Sequence, residues 1–359
     1  MLKLIHGADF HLDSPFSGLS PQQAARRRAE QRLLLEDLAG LCRERQADLL
    51  LLSGGLFDSG SVYRETVSAL TEALCRTGCP VFIAPGNHDY FCRSSPYATL
   101  QWPANVRVFT DGRVGGYTLK KLNCTVWGRA FTAPHESTSP LAGFTSPRDG
   151  SVHIMALHGA VGPQSDYGPI SREEIAASGL DYLALGHVHK YSGLQREGRT
   201  CWAYPGCPEG RGFDETGEKG VLYLELDGGA VREEFIPLCR HRYEELEVDV
   251  TGRIPLEALR AALPDDARNH IFRIALVGEG EAPDLEALTH ALAPSCYGLT
   301  LRDSTQLPLD LWARRNEDSL TGRFLRELYP DWEAEHSPFL AQVARFGLAA
   351  LENGEDPYL

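Results

Sequence analysis

Short apolar runs alternate with longer amphipathic segments over the first part of the chain. The runs have the length of buried strands, and the segments between them place apolar residues at helical spacing. The predicted elements are, in order, the strand Leu2–His6, the helix Pro21–Arg45, the strand Asp48–Leu52, the helix Tyr63–Arg76 and the strand Val81–Ala84. Ser20 and Pro21 supply an N-cap hydroxyl and a proline at the first helical position. This alternation predicts an α/β domain with a largely parallel sheet.

A second group of apolar runs follows, and its first strands are shorter. Val106–Phe109, Gly116–Leu119 and Thr125–Gly128 predict a second, more antiparallel layer. The later elements are the strand His153–Leu157, a helix opened by the capping box Ser171 to Glu174, and the strands Tyr182–Leu185, Trp202–Pro205, Gly220–Leu226 and Val231–Ile236. A turn at Gly228-Gly229 joins the last two strands. These elements predict a first domain over residues 1–240.

After Pro237 the pattern changes. The predicted order is β-α-β-α-β, a small domain over residues 241–303, with elements at Tyr243–Val250, Pro255–Ala262, His270–Val277, Pro283–Leu292 and Leu299–Arg302. Residues 304–359 carry two amphipathic helices, Asp318–Tyr329 and Ser337–Leu351, around a turn at Tyr329-Pro330-Asp331. Each helix has an apolar stripe, and such a stripe belongs either to a core or to a docking interface.

Composition narrows the classes of function. The chain has 359 residues and a formal net charge of −14. This charge argues against a protein that wraps nucleic acid with its own basic surface, because phosphate neutralisation supplies most nonspecific affinity. Nine cysteines without CxxC pairs predict reduced thiols and a cytoplasmic protein. From the opening strand we expect no signal peptide or anchor, and no apolar run approaches the roughly 20 residues that span a membrane.

Side chains that commonly bind metals follow four of the predicted strands. They are Asp9 and His11 after the first strand, Asn87 and His88 in Gly86-Asn87-His88-Asp89, His158 after Ile154–Leu157, and His187 and His189 in Gly186-His187-Val188-His189. Residues two apart can point to the same side at the end of a strand. Carboxylate, amide and imidazole groups suit a dication such as manganese. Taken singly, each string has an ordinary alternative: a solvated aspartate, a turn-forming asparagine, or a surface or core histidine.

In their order and spacing these strings resemble the calcineurin-like metallophosphoesterases. The resemblance implies a four-layer α/β/β/α sandwich that binds two divalent metal ions, with Mn²⁺ as the expected metal. The implied ligands are Asp9, His11 and His189 for one ion, and Asn87, His158 and His187 for the other. His88 matches the histidine that contacts the scissile phosphate and protonates the leaving group. The two ions would bind the phosphodiester, and one would lower the pKa of a water.

The chain departs from this family at one position. The family motif is Gly-Asp-x-x-Asp, whose first aspartate bridges the two ions, whereas this chain has Gly54-Gly55-Leu56-Phe57-Asp58. Asp58 matches the second aspartate, and Gly55 supplies no bridge. Two dications about 4 Å apart repel by roughly 20 kcal/mol even at an effective dielectric of about 20. We therefore predict a weak or missing second ion and low intrinsic hydrolysis, unless Asp58, a bound phosphate or a hydroxide replaces the bridge.

A glycine-rich segment narrows the resemblance to nucleases. Tyr204-Pro205-Gly206-Cys207-Pro208, followed by Gly212-Phe213-Asp214-Glu215 and Lys219-Gly220, is similar to the signature of DNA repair nucleases of the SbcD and YhaO type. Cys207 stands where serine is usual. By this resemblance the small domain would cap the site and help to admit DNA ends. The terminal helices would dock on an SMC-like coiled-coil ATPase, and DNA binding would depend on that partner and on the groove of a homodimer. A simple glycine-rich loop between strands is the alternative.

The sequence thus predicts a manganese-dependent DNA exonuclease or endonuclease subunit. Two rival interpretations stay open. One is a phosphatase or cyclic-nucleotide phosphodiesterase on the same scaffold. The other is a catalytically impaired DNA-end-binding scaffold that regulates an ATPase. Arg26, Arg27 and Arg28 on the first helix could contact phosphates, although a solvated helix face is the more ordinary explanation.

Overall fold

The computed structural model of the chain describes residues 1–17, 19–162, 164–280, 282–306 and 312–351. The chain divides into two compact units. The first comprises Met1–Glu245, Asp265–Arg273 and Ala293–Leu299, and the second comprises Leu246–Pro264, Ile274–Leu292 and the described residues from Thr300 onward. The domain boundaries expected after residues 240 and 303 remain predictions.

Strands and helices alternate through the first unit. In chain order they are β1 (Leu2–Gly7), α1 (Pro21–Glu44), β2 (Leu49–Ser53), α2 (Arg64–Cys75), β3 (Val81–Ala84), α3 (Pro96–Thr99), β4 (Val106–Val108), β5 (Gly115–Leu119), β6 (Cys124–Gly128), β7 (Val152–His158), α4 (Arg172–Ser178), β8 (Tyr182–Gly186), β9 (Gln195–Glu197), β10 (Thr200–Ala203), β11 (Gly220–Asp227) and β12 (Ala230–Pro237). The expected strands and long helices are present, whereas the short α3 and β9 are not among the predicted elements. The hydroxyl of Ser20 accepts a hydrogen bond from the amide of Gln23, so α1 begins where the sequence predicts.

Two six-stranded sheets form the centre of this unit. The first has the order β12-β11-β1-β2-β3-β4. Its strands β1 to β4 are parallel, and β11 pairs antiparallel with β1 and β12. The second has the order β5-β6-β7-β8-β10-β9. Each sheet therefore has a parallel centre, with the carboxyl ends of its central strands at one edge.

The expectation of a second, more antiparallel layer is correct for the pair β5 and β6 but wrong for that sheet as a whole. Strand β4, expected in the same layer, lies in the first sheet, parallel to β3. Strands β6, β7, β8 and β10 are parallel, and antiparallel pairing is confined to the two pairs at the edges. A parallel pair needs a crossover of a dozen or more residues, usually a helix. The crossover from β6 to β7 is irregular, without an α-helix in residues 129–151, so no helical pattern marks it in the sequence.

Three clusters of buried apolar side chains separate the layers. The cluster between the sheets includes Leu51 and Ile154. A second cluster packs α1 and α2 on the outer face of the first sheet through Leu38 and Leu74. A third packs Ile175 of α4 on the second sheet. Both faces of each sheet are covered, as parallel strands require, and the predicted four-layer α/β/β/α sandwich is confirmed.

The three arginines near the start of α1 differ in their surroundings. Arg27 is buried, and its guanidinium donates to Glu209 at 2.5 Å and to the carbonyl of Gly210 at 3.1 Å. Neither a phosphate contact nor a solvated helix face therefore describes Arg27. Arg26 is 66% exposed and pairs with Glu30. A buried charge is retained only when its donors are paired, and this pair fixes the start of the loop after Gly206.

The remaining elements follow the predicted β-α-β-α-β order. They are β13 (Tyr243–Asp249), α5 (Pro255–Ala262), β14 (Ile271–Val277), α6 (Leu285–Leu292) and β15 (Gly298–Asp303), with sheet order β13-β14-β15. Two helices close the described chain, α7 (Leu320–Glu335) and α8 (Pro338–Leu351). Residues 304–306 and 312–351 carry the described part of the predicted terminal segment, and the rest of it lies outside the described residues.

The turn predicted at Tyr329-Pro330-Asp331 is wrong, because α7 continues through Pro330 and ends at Glu335. Proline removes one helical hydrogen bond. Packing of Trp312 against Tyr329 and Trp332, with ring centroids 5.5 and 5.1 Å apart, keeps both sides of the proline in the helix. Leu325 is fully buried against α8, whereas Leu320 and Phe339 are each 70% exposed. Each stripe is therefore partly core. Among the described helices, none combines the length and apolarity needed to cross a membrane.

Candidate metal centre

The predicted site residues lie where strands of both sheets end. Asp9 and His11 follow β1, Asn87 and His88 follow β3, His158 ends β7, and His187 and His189 follow β8. Backbone hydrogen bonds connect the loops that carry them. The amide of Asp9 donates to the carbonyl of Gly54 at 2.9 Å. The amide of Gly159 donates to the carbonyl of Gly186 at 3.1 Å. The parallel centres of the two sheets thus bring residues from distant parts of the chain to one place.

Asp9, His11 and His189 form the first group of potential ligands. The Nε2 atoms of His11 and His189 lie 3.2 Å apart, and Oδ1 of Asp9 lies 3.9 and 3.8 Å from them. This carboxylate oxygen is buried and has no hydrogen-bond partner. Metal bonds to imidazole and carboxylate are about 2.0–2.2 Å long, so these separations suit three ligands around one dication. The donor set therefore fits a divalent metal ion.

Two further carboxylates face the other side of these imidazoles. Oε1 of Glu215 lies 2.6 Å from Nδ1 of His189, and Oδ1 of Asp58 lies 3.3 Å from Nδ1 of His11. A carboxylate at Nδ1 favours the proton there and leaves the lone pair on Nε2. In that tautomer each imidazole directs Nε2 toward Asp9. Nη2 of Arg211 lies 3.2 Å from the same Nδ1 of His189 that Glu215 contacts.

Asn87, His158 and His187 form the second group. Oδ1 of Asn87 lies 2.8 Å from Nε2 of His158, and Nδ1 of His158 donates to the carbonyl of Ser53 at 3.0 Å. The rings of His158 and His187 have centroids 5.3 Å apart. The structure therefore brings these predicted residues together. None of them carries a carboxylate, so this group lacks an anionic ligand atom.

His88 lies beside the first group without being part of it. Its ring centroid is 4.8 Å from that of His11, and its side chain is exposed. An exposed imidazole can exchange protons with solvent, as a general acid must. His88 is thus an exposed imidazole beside the first group of potential ligands.

Gly55 faces the first group. Its φ is +60°, and a β-carbon placed there would lie 2.6 Å from Oδ1 of Asp9 and 3.3 Å from Nε2 of His11. A side chain at this position would therefore point among the ligands. Asp58 faces Nδ1 of His11 at 3.3 Å, and with His11 and His88 it forms a further group of potential ligands.

The backbone of the site is held in an unusual conformation. Asp9, His11 and His187 have φ values of 54°, 46° and 114°, which residues with a β-carbon rarely adopt. Such conformations persist where the surrounding structure fixes them, and they cluster at functional sites. The amide of His187 donates to Oδ2 of Asp9 at 2.9 Å, which fixes the loop after β8 relative to the loop after β1.

Burial shifts the pKa of most side chains in the first and second groups. It raises the pKa of Asp9 to about 7 and lowers the pKa of His11 to about 4. It also lowers the pKa of His158. For His189, burial is outweighed by the hydrogen bond to Glu215, and the pKa is raised. A dication beside Asp9 would favour its ionised form, so metal binding and deprotonation are coupled here.

Two residues of the site had no role in the sequence interpretation. Asp89, although part of the Gly86 to Asp89 string, accepts hydrogen bonds from the amides of Gly86 and Phe57 at 2.8 and 3.0 Å. It thereby joins the loops after β2 and β3. Arg211 contacts both Asp58 and Glu215. Its position in the glycine-rich segment is the sequence feature that could have indicated it.

The glycine-rich segment after β10 supports both histidine loops. The hydroxyl of Tyr204 donates to the carbonyl of Gly159 at 2.7 Å and accepts from the amide of Val161 at 2.9 Å. Nζ of Lys219 donates to the carbonyl of His189 at 3.2 Å. Cys207 is buried, with Sγ 3.7 Å from the same carbonyl. The segment is thus part of the site and more than a connection between strands.

Several named proteins are similar to this chain. It is 29% identical over 300 residues to a Bacillus subtilis protein named uncharacterized metallophosphoesterase YhaO, which covers 79% of this chain and 73% of that protein. It is 26% identical over 346 residues to the DNA double-strand break repair protein Mre11 of Methanopyrus kandleri, covering 86% and 74%. It is 27% identical over 273 residues to the SbcD subunit of the nuclease SbcCD of Bacillus subtilis, covering 64% and 67%.

A family model described as calcineurin-like phosphoesterase matches residues 2–191. The matched region contains both groups of potential ligands and His88, and it makes up more than half of the 359 residues. The chain therefore belongs to the calcineurin-like phosphoesterases, a family of metal-binding hydrolases.

Proposed function

We propose that this protein is a metal-dependent phosphodiesterase that acts on DNA, as an exonuclease or endonuclease subunit. The observation that carries the proposal is the group formed by Asp9, His11 and His189, whose acceptor atoms converge within 3.2 to 3.9 Å around an unpartnered buried carboxylate oxygen. Such a group is costly to bury unless a cation shares it.

The proposed ligands form two sets, with Mn²⁺ as the expected metal. Asp9, His11 and His189 would hold one ion, and Asn87, His158 and His187 the other, more weakly. When bound, the ions supply positive charge to the phosphodiester and lower the pKa of a water molecule. The chain supplies neutral imidazoles and a single carboxylate, Asp9, in these two sets.

His88 would act as the general acid. Its exposed ring lies next to His11, where the leaving oxygen of a phosphodiester bound over the ligands would be within reach. Proton transfer to that oxygen avoids the release of an alkoxide. Because Gly55 stands where the family has an anionic aspartate, the intrinsic rate of hydrolysis would be lower than with that aspartate.

DNA is favoured as the substrate by two observations. Two of the similar proteins are named as a DNA double-strand break repair protein and a nuclease subunit. The segment from Tyr204 to Lys219, which resembles the signature of such nucleases, contacts the loops of His158 and His189. A phosphatase or cyclic-nucleotide phosphodiesterase would use the same ligands, so the choice depends on relative rates with each substrate.

Replacing His88 by glutamine is expected to lower the rate of DNA hydrolysis about 100-fold, because general acid catalysis contributes at least about that factor. Mn²⁺ binding should be unchanged. The measurement is cleavage of linear duplex and single-stranded DNA at saturating Mn²⁺, beside p-nitrophenyl phosphate and a cyclic nucleotide. His290→Gln, an exposed histidine on α6, is the matched control. Faster hydrolysis of the small substrates than of DNA would overturn the choice of DNA.

A third candidate, a DNA-end-binding scaffold for an ATPase, is favoured by Gly55. It predicts that no hydrolysis of DNA ends occurs even at high Mn²⁺ concentration. In that case the His88 substitution would change nothing, whereas a slow nuclease would still lose its residual activity.

We further propose that the partner is an SMC-like coiled-coil ATPase, and that DNA affinity depends on it and on a homodimer groove. A net charge of −14 leaves little electrostatic attraction for DNA in the isolated chain. Weak binding that disappears at physiological salt is expected for the chain alone in a salt-titrated binding assay. Tight binding at that salt without a partner would contradict the proposal.

A further inference from the structure

One guanidinium joins the two carboxylates that face the metal ligands. Nη1 of Arg211 donates to Oδ1 of Asp58 at 3.1 Å, and Nη2 donates to Oε1 of Glu215 at 2.8 Å. The amide of Arg211 also donates to Oε2 of Glu215 at 2.8 Å. The side chains of Arg211 and Asp58 are each 21% exposed, and that of Glu215 is 4% exposed. The three groups are therefore mostly removed from water, where ion pairs are least screened.

The same two carboxylates determine the orientation of two ligands. Asp58 faces Nδ1 of His11 at 3.3 Å, and Glu215 faces Nδ1 of His189 at 2.6 Å. Two chains of contacts therefore start at Arg211 and end at Nε2 atoms that lie 3.2 Å apart. Nη2 of Arg211 also lies 3.2 Å from Nδ1 of His189 itself. A carboxylate that is itself held in place fixes the imidazole more firmly than a free one does.

We propose that Arg211 is a positioning residue that binds Asp58 and Glu215 together and so aligns His11 and His189 toward one metal ion. The inference rests on the proposed function insofar as Asp9, His11 and His189 bind that ion. It assigns Arg211 a role in forming the site, without contact to the reacting atoms.

The position of Arg211 is itself fixed from the interior. Glu209, two residues earlier, accepts from the buried guanidinium of Arg27 at 2.5 Å and from the amide of Arg240 at 3.1 Å. The loop is thereby attached to α1 next to the residues that follow β1. Arg211 thus extends from a fixed loop to Asp58 in the loop after β2, and it also binds Glu215 within its own segment.

The second group of potential ligands lacks such a support among the contacts that the structure gives for it. Nδ1 of His158 contacts a backbone carbonyl, that of Ser53, and Asn87 contributes a neutral amide. The first group has two carboxylates behind it and Asp9 within it. The two sites are therefore unequal, and Arg211 acts on the stronger one.

The test is a Mn²⁺ titration of the full chain, in which electron paramagnetic resonance measures the bound and free ion. Arg211→Met and Glu215→Gln are each expected to weaken the tighter site about 10- to 100-fold, the usual effect of losing a hydrogen-bond partner of a ligand. The double variant should bind no more than about 3-fold more weakly than the worse single variant, because both changes break one unit. Arg211→Lys keeps the charge but reaches one carboxylate, so its affinity should fall between those of the parent and Arg211→Met.

Arg242→Gln is the matched control, since Arg242 is 24% exposed and also pairs with carboxylates, Glu218 and Asp266 among them. Its Mn²⁺ affinity should equal that of the parent. Unchanged affinity in Arg211→Met, or multiplied effects in the double variant, would overturn the inference and leave the proposed function intact. Absence of Mn²⁺ binding in the unaltered protein would overturn both. Thermal unfolding of every variant without metal separates lost affinity from lost folding.

Discussion

Replacing Gly55 by aspartate is expected to raise the Mn²⁺ bound per chain from about one ion to about two, and to raise the rate of DNA hydrolysis roughly 10³-fold. A side chain at position 55 would point between Asp9 and His11. An added negative charge there offsets repulsion between two dications, which is large at such separations. The second ion contributes several kcal/mol of stabilisation to the transition state, and each 1.4 kcal/mol is about tenfold in rate. Metal analysis of the dialysed protein and initial rates on linear DNA are the measurements.

The substitution also has a cost, and a matched variant isolates it. The β-carbon would lie 2.6 Å from Oδ1 of Asp9, so that carboxylate must move, and a φ of +60° is strained for residues other than glycine. Gly55→Asn has the same shape and backbone strain without the charge. It should bind about one ion and stay slow. Equal metal content and equal rates in the unaltered protein and Gly55→Asp would show that the missing aspartate is irrelevant.

Asp9→Asn is expected to abolish metal-dependent hydrolysis and to weaken Mn²⁺ binding by more than about 100-fold. This exceeds the effect of removing a residue that only hydrogen-bonds to a metal ligand. In the absence of metal, the same substitution should increase the stability of the fold. Burial raises the pKa of Asp9 to about 7, so the folded protein retains a proton that the unfolded chain loses near pH 4. The metal-free parent therefore loses stability as the pH rises from about 4 to 7.

The asparagine variant lacks this titration, so above pH 7 it should unfold at higher urea concentration than the metal-free parent. Urea denaturation at pH 5 and pH 8 in the presence of a chelator measures the difference. Asp111→Asn, at an exposed carboxylate, is the control and should follow the parent at both pH values. A metal-free Asp9→Asn protein that is less stable than the parent at pH 8 would show that Asp9 is required for the fold itself.

The sequence predicts the parts of this molecule that depend on short-range patterns. Strands such as β2 are continuous apolar runs because both of their faces are covered. The strings around Asp9, Asn87 and His187 follow such strands directly, so their position at the carboxyl ends of strands could be expected. Contacts between distant segments could not be predicted in the same way. Arg211 and Asp58 are separated by 153 positions, and nothing local marks them as partners.

Two errors in the fold have the same origin. A proline normally ends a helix, but the aromatic residues around Pro330 include Trp312, which lies well before α7 begins. The parallel pairing of β6 with β7 depends on an irregular crossover, for which sequence patterns give no rule. In both cases tertiary packing overrides the local preference.

The assembly of the first group of ligands from both sheets has a consequence for the newly synthesised protein. His11 and His189 are 178 residues apart in the chain. At about 5–20 residues per second, a ribosome needs roughly 10 to 40 s between them. During that interval the emerging chain carries Asp9 and His11 but cannot complete the site. With Asp9, His11 and His189 as the proposed ligands, we therefore expect tight metal binding only in the finished domain.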